Sequence, residues 1–164
     1  MYTVNRLLVP VDFSNVSRAA ISAGLRIAAA TKAEVWLLTV ETGMDRDVRE
    51  RLTTAPDDTV VEDRIKDSER ALLEAMNVER DRCTENGQPL PAIPIHTVVA
   101  GGSWVEVTLQ NVDEHQIDLI VVGTHGREKG VKGMFNSTVS EKLVARSTCS
   151  IMVVKPEGYP YLRD

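Results

Sequence analysis

The chain of 164 residues is 43% hydrophobic and 26% charged, which suits one globular domain with a substantial core and requires no second one. Lys and Arg total 19 against 24 Asp and Glu, so the net charge of −5 gives no electrostatic ground for binding nucleic acid or an anionic membrane surface. The start MYTVNRLLVPVDF lacks the apolar core and cleavage pattern of a secretory signal, and no window approaches the roughly 18 apolar residues of a membrane span. A soluble, cytoplasmic protein without membrane insertion is expected.

In chain order, the first expected strand is 6–11 (RLLVPV), a continuous apolar run of the kind found where both faces of a strand are covered. Ser14 and Asn15 then open a helix with Ala20, Ile21, Gly24, Leu25, Ile27 and Ala28 on one side, and its small residues predict tight packing. The next strand is 33–40 (AEVWLLTV). The connection 41–59 holds charges, Thr53-Thr54 and Ala55-Pro56-Asp57-Asp58 without periodicity, and reads as a flexible flap.

From about residue 60 to 86, Val61, Ile65, Leu72 and Met76 form an apolar stripe among charges that read as a solvated face, with Asn86-Gly87 as a stop signal. A strand at 93–99, a helix at 104–112 and a strand at 118–122 (DLIVV) follow. Thr138-Val139-Ser140-Glu141 is a capping-box pattern opening a last helix through Leu143 and Val144, before a strand at 151–154 (IMVV). The tail 156–164 is too rich in proline to extend that strand, yet Tyr159 and Tyr161 predict that it packs on something.

Strands and helices thus alternate throughout, which predicts an α/β fold: an open, doubly wound, five-stranded parallel sheet with helices on both faces. Ligands of such sheets bind beyond the carboxyl ends of the strands, where the direction of connection switches. Cys83 and Cys149 have no CxxC or Cys/His spacing, and His96, His115 and His125 are scattered, so structural thiols and no built-in metal site are expected. No Ser/His/Asp order, paired-carboxylate motif or oriented general base is evident, so no catalytic residue is assigned.

The strongest local signal is Gly123-Thr124-His125-Gly126-Arg127 directly after the strand DLIVV, followed by Gly130, Gly133 and Asn136-Ser137-Thr138 at a helix start. Glycines let backbone N–H groups approach an anion, and a helix amino terminus favours the same charge, so the segment outlines a phosphate cradle. It is neither a Walker A loop nor a GxGxxG fingerprint, and a plain tight turn after a strand is the competing reading.

The spacing of Gly123, two residues, Gly126, nine residues, then Asn136-Ser137 resembles the pattern of the universal stress protein family, with Asn136 replacing the last motif glycine. Val-Gly-Thr-His-Gly-Arg and Ser-Glu-Lys-Leu-Val are similar to that family too, and the resemblance spans nearly the whole chain: a domain at 1–155 and a tail at 156–164. It implies ATP or a related adenine nucleotide as ligand, with or without Mg2+. Pro10 and Asp12 in LVPVDFS would lie near the nucleotide, Val40 would offer backbone to adenine, and Gly123, Gly126, Asn136, Ser137 and Thr138 would surround phosphates.

His125 and Arg127 are further phosphate candidates, against the plainer readings of a solvent-facing histidine and an arginine paired with a carboxylate. Asp12 has the alternative role of capping the first helix. Asn136 tolerates left-handed backbone and its amide can donate to an anion. The resemblance implies a regulatory or stress-response module and not an enzyme, acting as a homodimer through 150–154 and open to an unidentified protein partner. A nucleotide-free scaffold of the same fold is the alternative, and a metabolic enzyme of the wider adenine-nucleotide architecture ranks last.

Overall fold

The computed structural model describes residues 3–41, 59–124 and 139–155. Five strands, β1 (Arg6–Pro10), β2 (Glu34–Glu41), β3 (Ile95–Gly101), β4 (Leu119–Gly123) and β5 (Ser150–Val154), form one sheet in the order β3-β2-β1-β4-β5, all neighbours parallel. Helices α1 (Asn15–Thr31), α2 (Thr59–Glu85), α3 (Trp104–His115) and α4 (Val139–Arg146) connect them. The doubly wound α/β architecture read from the sequence is the one present.

Continuous apolar strands produce two cores. Leu7, Val9 and Val11 point to one face, where Ile21 and Leu25 of α1 and Leu72 and Met76 of α2 cover them. Leu8 points to the other, with Trp36, Leu38 and Val40 of β2, under Val105 and Val112 of α3 and Leu143 of α4. Leu7 and Leu8 are both fully buried, each worth about 1.5–3 kcal/mol relative to exposure, so β1 is the keel of both layers.

Local chemistry sets the helix ends. Ser14 holds an extended backbone and its hydroxyl accepts from the Ser17 N–H at 3.2 Å, which opens α1. Gly24 lets α1 settle on β1, since a β-carbon there would stand 3.0 Å from Val9 Cγ2. At the end of α2, Gly87 takes φ 73° and Gln88 N–H donates to the Cys83 carbonyl at 2.9 Å, so Asn86-Gly87 is the stop the sequence indicated.

Three expectations need correction. The third strand begins two residues later than the apolar run, because Pro94 has no N–H; its carbonyl accepts from Val35 N–H at 2.9 Å, and the ladder then runs on to Gly101. Helix α3 continues past Val112 to His115, through a polar last turn that hydrophobic periodicity does not mark. The charges of α2 are not all solvated: Glu79 is 2% exposed, its carboxylate taking Arg82 at 3.1 and 3.3 Å, and Ser68 and Cys83 join the buried stripe. None of the described helices is long and apolar enough to cross a membrane.

Candidate functional site

The chain leaves β1 toward β2 and β3 on one side, then returns to place β4 on the other, so the switch point lies between the carboxyl ends of β1 and β4. Pro10 ends β1, buried and in register with Leu38. Val11 N–H still donates to the Leu38 carbonyl at 2.7 Å, which carries the strand geometry to the brink of the loop. Val40, 6% exposed, sits near the end of β2 opposite Ala100. The sheet order therefore brings Pro10, Asp12, Val40 and Gly123 to the same edge, on three adjacent strands.

Asp12 does not cap α1; that role belongs to Ser14. The Asp12 carboxylate instead accepts from the Ser14 N–H at 3.1 Å and the Ser14 hydroxyl at 2.5 Å, bracing the capping residue while remaining exposed. Ser14 thus donates to Asp12 and accepts from Ser17. Between Asp12 and Ser14, Phe13 takes φ 62° and is 40% exposed. An aromatic residue in the left-handed region is strained.

Gly123 closes β4 opposite Val154, and its missing side chain is used by the first turn of α1: a β-carbon there would meet Val16 Cγ1 at 2.4 Å and the Val16 carbonyl oxygen at 2.8 Å. Its backbone is not left-handed, so close approach, and not a turn, is what requires glycine. Thr124 follows, 9% exposed, its N–H donating to the Val154 carbonyl at 3.0 Å and its hydroxyl buried without a hydrogen-bond partner among the described residues. His125, Gly126, Arg127, Asn136, Ser137 and Thr138 lie outside the described residues, as do most of the proposed flap and the whole tail.

Elsewhere, the structure assembles what the sequence left scattered. His96 and His115 both stack on Trp36, with ring centroids 4.3 and 5.5 Å away, and His96 Nε2 lies 3.0 Å from a Glu34 carboxylate oxygen. This cluster is at the amino ends of the strands, away from the switch point. No group of three or more His, Cys, Asp or Glu among the described residues is arranged to hold a metal ion. Sequence reasoning took Ser14 as the helix start but passed over its brace by Asp12; Asp-x-Ser at a strand-to-helix junction was the available signal.

The chain is 27% identical over 153 residues to universal stress protein YxiE of Bacillus subtilis (strain 168), covering 92% of this chain and 99% of that protein. A universal stress protein solved in complex with cAMP superposes with a TM-score of 0.64 at 21% identity, covering 94% of this chain and 99% of that one. An Arabidopsis thaliana universal stress protein family member with AMP bound gives 0.56 at 20% identity, over 94% and 93%. At that identity these two likenesses establish the fold. The profile of the universal stress protein family matches residues 3–155, which takes in every described strand, and to that family the chain belongs.

Proposed function

We propose that this chain is a regulatory module that binds ATP, or a related adenine nucleotide, at the carboxyl edge of β1, β2 and β4, and that it works as a homodimer and not as an enzyme. Pro10, Asp12, Val40 and Gly123 would form the near wall, and His125, Gly126, Arg127, Asn136, Ser137 and Thr138 the phosphate side, with Mg2+ accompanying the triphosphate. The reading is carried by the switch-point edge itself in a family whose members include proteins solved with cAMP and AMP. Polar groups stand at that edge: the exposed Asp12 carboxylate, braced by Ser14, and the buried Thr124 hydroxyl, without a partner among the described residues.

Calorimetry with ATP, ADP and AMP, with and without Mg2+, tests it directly. Saturating nucleotide should raise the melting temperature by mass action, and Gly126→Val should lower ATP affinity about tenfold with the fold retained, because a β-branched side chain blocks backbone approach to phosphate. If millimolar ATP gives neither heat nor a thermal shift with folded protein, the nucleotide-free scaffold takes its place.

Asn136 in place of the motif glycine favours that second reading, and the outer strand supports the dimer in either. β5 is an edge strand with Met152 42% and Val153 40% exposed, so apolar side chains are uncovered on both of its faces. A second copy pairing along 150–154 would satisfy the open backbone groups of that edge. Met152→Asp and Val153→Asp should each shift the species seen by light scattering toward monomer. A wild-type protein that is already monomeric at high concentration removes the dimer from the proposal.

A further inference from the structure

The end of β2 is supported unequally by its two neighbours. β1 leaves the sheet first: among the described residues, the last backbone bond between the two strands runs from Val11 N–H to the Leu38 carbonyl at 2.7 Å. β3 keeps pairing as far as Gly101, opposite Glu41. Successive residues of a strand turn their backbone groups to alternate sides, and Leu38 turns its own toward β1. Val40, two residues on, therefore presents its N–H and carbonyl past the end of β1, at the switch-point edge.

A strand end with a neighbour on one side only is where fraying starts. Here side chains on both faces oppose it. Val40 is 6% exposed, its side chain in the core under α3 and α4. Glu41 reaches the opposite layer, where its carboxylate accepts from the Arg64 guanidinium at 3.1 Å and from the Ser68 hydroxyl, two groups one turn apart on α2. Ser68 is buried and the Glu41 side chain only 24% exposed, so water screens this clamp less than an ion pair on the open surface.

A fixed peptide at this point has a chemical use. The N–H and carbonyl of one residue form a donor beside an acceptor. Adenine matches that pair, with N1 accepting and the N6 amino group donating. Guanine in the same place sets its N1–H against the N–H and its O6 against the carbonyl, which leaves all four groups unpaired.

We propose that Glu41 is a positioning residue for base recognition: clamped by Arg64 and Ser68, it holds the Val40 peptide in the orientation that selects adenine over guanine. This role rests on the nucleotide-binding reading given above and deepens it, with a side chain that itself touches no ligand.

Calorimetry with AMP and GMP on wild type, Glu41→Ala, Glu41→Gln and Ser68→Ala tests it, with thermal melting to show that each is folded. Wild type should bind AMP about tenfold or more tighter than GMP. Glu41→Ala should lower AMP affinity about five- to tenfold and leave GMP within about twofold, so that the preference nearly disappears. Glu41→Gln, which still accepts from Ser68, should keep most of the preference, and Ser68→Ala should fall between the two. A folded Glu41→Ala protein with the wild-type preference overturns the role, and so does an equal loss for both nucleotides, which would mark a general structural effect. Should Glu41→Ala fail to fold, Ser68→Ala decides: a reduced preference supports the role and an unchanged one overturns it. Wild-type protein that binds AMP and GMP alike overturns the role alone, whereas protein that binds neither overturns it together with the nucleotide reading.

Discussion

The two edges of the sheet are built on opposite terms. At the amino edge, polar groups satisfy one another: Asn5 and Arg6 N–H groups donate to one Asp118 oxygen at 2.8 and 2.9 Å, and Asp118 N–H returns a bond to the Arg6 carbonyl. The Arg6 guanidinium reaches the His115 carbonyl at 3.3 Å, and Trp36 holds His96 and His115 against β2 and β3. At the carboxyl edge, the chain keeps a left-handed Phe13 and a Thr124 hydroxyl without a hydrogen-bond partner among the described residues. One edge is tied for stability; the other retains local costs.

The largest blow to that contrast should come from Gly123→Ala. Its β-carbon would press on the Val16 backbone as well as its side chain, and backbone cannot swing aside, so about 2–3 kcal/mol of stability should be lost in urea denaturation. A variant as stable as wild type would mean that α1 is free to move away from β4. Second, Asp118→Ala removes the acceptor shared by two backbone N–H groups and should cost about 2 kcal/mol, with Asp118→Asn recovering part of it through its remaining carbonyl oxygen. Equal losses in both variants would show that charge, and not the oxygen, clamps the edge.

The smallest effect carries the opposite sign. Phe13→Gly relieves the left-handed strain at the expense of unfolded-state entropy, so the ligand-free protein should gain up to about 1 kcal/mol. A loss would show that the ring, though 40% exposed, holds structure that outweighs the strain.

Most of this fold was legible because its strands are buried on both faces and its helices carry clear stripes; β1, β2 and β4 were found within a residue or two of their ends. The misplaced boundaries share a cause, since Pro94 and the turn 113–115 are governed by backbone donors and polar caps that periodicity does not register. At the candidate site, Gly123 was singled out from residue type and position, and Asp12 from the family resemblance of LVPVDFS. The Val16 contact of Gly123 was not, because a side chain resting on a strand end across 107 positions leaves no mark in local sequence. The His96–Trp36–His115 stack escaped for the same reason: its members belong to β3, β2 and the end of α3.

The central place of β1 also orders events during synthesis. Its partner β2 follows closely, and α1, α2 and β3 complete one half of the sheet, so that half can assemble while the rest is still being made. Its other partner is remote: the bond from Asn5 to Asp118 spans 113 residues, the kind of non-local closure that is slow to form. The switch point between β1 and β4 therefore does not exist on a nascent chain that has not yet released β4, and any ligand of that edge would meet only chains whose folding is nearly finished.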